Sequence, residues 1–110
     1  MELTLKKVGQ KAIARIKGQL DTLTTPEFNK ELLKLIDKGE RKIILDFSEL
    51  DFTSTAGLGG ILVLVKRMKD EKGGLSVAAL QGQVKKVFDI SGLSSGIPDF
   101  DTVADALEKT

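Results

Sequence analysis

The run LDFSELDFTSTAGLGGILVLVKRMK, residues 45–69, decides the fold. Its opening belongs to a continuous apolar run over residues 41–47, too short for a helix and rich in β-branched side chains. A strand covered on both faces reads this way, and it is expected to be the central parallel strand. Its close, residues 58–68, has helical length, and Lys66, Arg67, Lys69 and Lys72 suit the negative end of a helix dipole. Gly73-Gly74 stops that helix. Between strand and helix lies Phe52-Thr53-Ser54-Thr55-Ala56-Gly57-Leu58-Gly59, a turn crowded with hydroxyls and glycines.

Working outward from this unit, Leu3-Thr4-Leu5 and Lys11-Ala12-Ile13-Ala14-Arg15-Ile16-Lys17 alternate with period two, and a turn at residues 8–11 joins them as an N-terminal hairpin. Thr24-Thr25-Pro26-Glu27 supplies a cap hydroxyl, a first-turn proline and an early acid. Phe28, Leu32, Leu35 and Ile36 then share one helical stripe, which predicts a helix over residues 26–38 ended by Gly39. Residues 75–80 read as another short strand. Val84, Val87 and Phe88 mark a short helix ending before Gly92, and Val103, Ala106 and Leu107 mark a last one. Strands alternating with helices predict an α/β domain with helices packed on a small mixed sheet.

The hydroxyls have a plain explanation. Ser54 or Thr55 as N-cap accepts a bond from a first-turn N–H, worth about 1 kcal/mol. Two features exceed it. Gly57, Gly59 and Gly60 each weaken a helix by about 1 kcal/mol relative to Ala, and something other than capping must offset that. The segment over residues 58–65 also has no polar residue on any face, so a helix lying on a sheet keeps apolar surface to spare. A protein partner is the expected use of that surface.

Composition removes other functions. The chain has 110 residues, 17 basic and 16 acidic, a net charge of +1 and neither Cys nor His. No Ser-His or Cys-His nucleophile pair can be assembled, thiolate and imidazole metal sites are absent, and the acids are scattered among lysines. An enzyme is not expected, nor is a cofactor or metal. Charge of neither sign forms a block, so nucleic acid is not an expected partner. No apolar run approaches the roughly 20 residues of a membrane span, so insertion is not expected. Met1-Glu2-Leu3 lacks the start of a signal peptide, and a cytoplasmic location is the expectation.

Three segments together resemble a known family. They are Leu45-Asp46-Phe47-Ser48 with the 52–59 turn, Gly18-Gln19-Leu20-Asp21 upstream, and Val84-Lys85-Lys86-Val87-Phe88-Asp89-Ile90-Ser91-Gly92-Leu93 downstream. Their order and spacing are similar to those of bacterial anti-sigma factor antagonists, which belong to the STAS (sulphate transporter and anti-sigma antagonist) domain. The resemblance implies a single STAS-like domain over residues 1–110, with an N-terminal hairpin and helices mainly on one face of a small mixed sheet.

It also implies a switch. In such relatives the unphosphorylated antagonist binds an anti-sigma factor that is also a Ser/Thr kinase, and this frees a sigma factor. Phosphorylation in an Asp-Ser-Ser/Thr-Gly motif releases the antagonist, and a phosphatase resets it. Matched position by position, Ser54 stands where the family has Asp, Thr55 stands on the phosphoacceptor, Ala56 follows and Gly57 is the motif glycine. Thr55 is the expected acceptor and Ser54 a competing one. Asp21, Thr22, Ser54, Thr55, Ala56, Gly57 and Leu58 are the expected partner contacts, in a monomer or weak dimer. For Asp21 an Asx-type turn before the helix is an equal alternative.

A phosphate brings about −1.5 to −2 charges, which free N–H groups at a helix start accommodate. The cost falls on the complex: a buried unpaired charge costs about 2–5 kcal/mol, or roughly 30-fold to several thousand-fold in affinity. Two other readings are open. The same fold can serve a stress-signalling or lipid-transport assembly. A receiver domain phosphorylated on Asp46 would also be a small α/β fold, but Leu3-Thr4-Leu5-Lys6-Lys7 offers no acidic pair for magnesium.

Overall fold

Alternation along β2 (Lys11–Leu20) sends Ala12, Ala14 and Ile16 into the main core and Ile13 to the opposite side. The strand therefore separates two packed layers. This arrangement comes from a computed structural model that describes all residues 1–110. β1 (Glu2–Val8) pairs antiparallel with β2, Val8 facing Lys11. The two-residue turn between them needs left-handed backbone, and Gly9 supplies it at a φ of 61°.

The chain then returns through α1 (Thr25–Asp37) to β3 (Lys42–Asp46), which runs parallel to β2. α1 buries Phe28, Leu32 and Ile36 along one stripe, each worth about 1.5–3 kcal/mol of apolar burial. β4 (Leu50–Thr53), α2 (Thr55–Asp70), β5 (Gly74–Ala78) and α3 (Gly82–Ile90) follow. A short 3-10 turn at Leu93–Ser95, β6 (Asp99–Phe100) and α4 (Val103–Lys109) complete the chain. The mixed sheet runs β1-β2-β3-β5-β6, so β3 is central as expected, and β4 pairs with β2 off this path.

Buried side chains of α1, α2 and α3 join one large core on one face of the sheet. The other face carries only α4, whose Ala106 meets Ile13, Ile44 and Ala78. The expected hairpin and the helices gathered mainly on one face are both present.

Four local differences have physical reasons. β2 runs on to Leu20 rather than stopping at Lys17, because β4 pairs with residues 18–20 where β3 has ended. β4 itself was not anticipated: four residues with Asp51 at their centre give no apolar run to detect. The two-residue β6 escaped notice for the same reason. α2 begins at Thr55 rather than Leu58, since Ser54 already holds extended N-cap geometry and the glycines continue the helix.

Candidate functional site

The backbone carbonyl of Leu20, at the end of β2, organises the turn before α2. It accepts from Ser54 N at 3.1 Å and from Thr53 Oγ1 at 3.0 Å. Thr53 is 1 % exposed, and its main chain is held from the far side by Gln83 of α3. Gln83 Nε2 donates to Thr53 O at 3.0 Å, while Gln83 Oε1 accepts from Thr53 N at 3.1 Å. The residue before the turn is thus fixed by a strand on one side and a side-chain amide on the other.

Gly57 and Gly60 have steric reasons to be glycine. A β-carbon on Gly57 would stand 2.5 Å from Leu20 O and would also strike Thr53 Oγ1. One on Gly60 would strike the Thr25 methyl and come within 2.9 Å of Asn29 Oδ1, where α1 crosses α2. Asn29 Nδ2 uses that closeness to donate to Gly60 O at 3.2 Å. Gly59 is exposed with open space around it, so nothing in the fold requires a glycine there.

The hydroxyls divide sharply. Ser54 is the N-cap residue, yet its side chain makes no cap bond, and its Oγ is buried without a hydrogen-bond partner. The expected capping bond at this helix is therefore absent. Thr55, the first residue of α2, is exposed. No acidic residue lies in the first turn of α2, and no side chain caps it, so its first N–H groups and dipole face an approaching anion unopposed.

Leu20 O also places Asp21 beside this helix start, one residue along. Asp21 Oδ1 accepts from Leu23 N at 2.9 Å and Thr24 N at 3.1 Å. These bonds form the Asx turn anticipated as one of two roles for Asp21. Hydrogen bonding from the Thr24 amide, opposed by partial desolvation and helped by the Leu23 amide, holds the carboxyl below its ordinary pKa. The cap hydroxyl expected from Thr24-Thr25 is absent: Thr24 is the N-cap residue but turns its hydroxyl to Gln19 O at 2.9 Å. The turn presents Thr22 to solvent and leaves Leu23 88 % exposed.

Of the residues expected to meet a partner, Asp21, Thr22, Ser54, Thr55 and Ala56 cluster at this end of the sheet with at least part of their surface open. Gly57 and Leu58 do not offer a surface. Leu58 is 7 % exposed and belongs to the core, because it lies on the sheet-facing stripe with Ile61 and Val65. The exposed apolar side chains of α2 are Leu62 at 40 % and Val63 at 51 %. The spare apolar surface expected over residues 58–65 is thus present, but a segment apolar all round gave no clue to which residues face outward. Sequence reasoning missed Gln83 too, because a clamp across 30 residues leaves no local pattern.

Asp46 is 3 % exposed, paired with Arg15 Nε at 3.1 Å, and its Oδ1 accepts from Ser48 N at 3.0 Å. A carboxylate so buried and engaged is no phosphoacceptor, and no cluster of acids suited to a metal occurs in the structure. The receiver reading is dropped. No helix is long and apolar enough to cross a membrane.

The chain belongs to the STAS domain family, whose model matches residues 2–106. It is 36 % identical over 98 residues to BtrV of Bordetella bronchiseptica, described as an anti-sigma factor antagonist, covering 89 % of this chain and 84 % of that protein. It is 29 % identical over 96 residues to the anti-sigma F factor antagonist of Paenibacillus polymyxa, covering 86 % of this chain and 82 % of that one.

Solved structures share the fold. A Thermotoga maritima protein described as an anti-sigma factor antagonist superposes with a TM-score of 0.93 at 22 % identity, covering 97 % of this chain and 92 % of that one. The phosphorylated form of the Bacillus cell fate determinant SpoIIAA gives 0.77 at 24 % identity, covering 98 % of each chain.

Proposed function

We propose that the chain is an anti-sigma factor antagonist switched by phosphorylation of Thr55. In its unphosphorylated form it binds an anti-sigma factor that is also a Ser/Thr kinase, and so releases a sigma factor; the kinase phosphorylates Thr55, the complex dissociates, and a phosphatase resets it. The names of the relatives support the antagonist role. The observation that carries the switch is the pairing of an exposed Thr55 with a buried Ser54 Oγ at an uncapped helix start. A kinase can reach the first hydroxyl and not the second, which makes Thr55 the acceptor rather than Ser54.

The contact surface is Thr55 with the outward side of α2, Leu62 and Val63, flanked by the Asp21 turn with Thr22 and Leu23. Leu58 and Gly57 support it from beneath. A phosphate on Thr55 is tolerated by the free chain, since it meets the positive end of α2. In the complex the same charge must be desolvated against the partner, which weakens binding by about 30-fold or more.

The test is binding and phosphorylation by the cognate anti-sigma factor. Thr55→Ala should block phosphate incorporation and keep binding; Thr55→Glu should lose binding while melting like wild type. If Thr55→Ala is still labelled, the acceptor lies elsewhere. If both variants bind like wild type, or a lysate pull-down returns only transport or membrane components, the switch is rejected and the domain serves another assembly.

A further inference from the structure

The last turns of α2 and the first residues of β3 and β5 border a cavity of about 340 Å³, at the far end of α2 from Thr55. Small-molecule sites begin at about this size, roughly 300 Å³. Ile43, Val65, Met68 and Leu75 make up the apolar part of its wall. Arg41, Lys42, Lys69 and Lys72 also line it, and no Asp or Glu side chain does. Arg41 is partly neutralised by Glu71 at 3.3 Å, but Lys42, Lys69 and Lys72 take part in no ion pair.

A backbone feature sits on the same wall. Lys72 holds a φ of 60°, and its N–H reaches Lys69 O while Gly73 N reaches Met68 O. Those two bonds form a Schellman helix end, whose left-handed position is normally filled by glycine. Glycines follow at once at positions 73 and 74, yet a lysine occupies the strained place. Gly73 cannot bear a side chain, because a β-carbon there would stand 2.7 Å from Arg41 O. Strain kept at a cavity rim suggests that the side chain matters there.

We propose that this cavity binds a small amphiphilic anion, a carboxylate or phosphate head on an apolar body. Lys42, Lys69 and Lys72 hold the head electrostatically, and Ile43, Val65, Met68 and Leu75 receive the apolar part. This site uses none of the residues assigned to the Thr55 switch, and stands or falls apart from it.

The experiment is an amide NMR titration of the full chain with octanoate, octyl phosphate and octylammonium. Both anions should give saturating shifts at Met68, Lys69, Gly73, Leu75 and Ser76, and the tighter of the two identifies the head group. Octylammonium should leave those amides unmoved. The double variant Lys69→Gln/Lys72→Gln, which alters only exposed side chains, should stay folded, with a melt lowered by no more than a few degrees from the lost dipole interaction, and should bind the anions at least about tenfold more weakly. The proposal is overturned by any of three results: no saturable shift below about 5 mM anion, an equal response to octylammonium, or shifts centred on Leu62 and Val63 instead.

Discussion

The carbonyl oxygen of Leu20 occupies the space that a β-carbon on Gly57 would need, 2.5 Å from it. Backbone cannot yield as a flexible side chain can, so Gly57→Ala should cost about 2–3 kcal/mol as overpacking. Gly59→Ala, two residues on in the same helix, meets nothing and should stabilise by about 1 kcal/mol through helix propensity. Urea unfolding of the two variants should therefore move in opposite directions; parallel shifts would mean that the close approach of α2 to β2 is wrong.

Replacing a serine N-cap usually costs about 1 kcal/mol, but Ser54→Ala should come close to neutral. Its hydroxyl makes no bond to lose and leaves none of its own unsatisfied once removed. A thermal melt displaced by more than a degree or two would show that Ser54 caps α2 after all.

Gln83→Leu keeps the bulk of the side chain and strips both hydrogen bonds from the Thr53 main chain. Leaving a buried N–H and C=O bare should cost about 2–4 kcal/mol. Amide exchange at Thr53 should quicken more than at β3, because the loss is local to the helix start.

The Asp21 turn predicts a pH response. Its carboxyl titrates lower when folded than the usual value of about 3.9, because the charged form accepts the Thr24 and Leu23 amides. A depressed folded pKa contributes stability that is complete above the unfolded value and disappears as pH falls through the folded one. Leu23 and Thr24 amide signals should thus hold steady down to about pH 4 and shift below it, and Asp21→Asn should abolish that transition.

Much of the architecture was legible because it is written in long periodic segments. Phe28, Leu32 and Ile36 announce α1, and residues 43–45 can hardly be other than a covered strand. β4 and β6 were not legible, since each exists only because a neighbouring strand offers it an edge. At the site, a helix start rich in hydroxyls at residues 53–55 could be read from the sequence, whereas its surroundings could not. That Leu58 faces inward and Leu62 and Val63 outward depends on how α2 is rotated against the sheet, and an all-apolar segment does not encode its own rotation. Gly57, Gly59 and Gly60 looked alike in the sequence; only distances to Leu20 and Thr25 separate the two that must be glycine from the one that need not be.

β2 belongs to two ladders, and the two close at very different times. Its partner β1 is a turn away, a hairpin of the kind that forms in about 1–10 μs. Leu20 finds Thr53 only after 33 intervening steps of chain have been looped, together with α1 and β3. The helix start that carries Thr55 is therefore assembled late, on a scaffold that already exists. Substitutions there, Gly57→Ala among them, should hasten unfolding far more than they slow folding, because the contacts they remove close last.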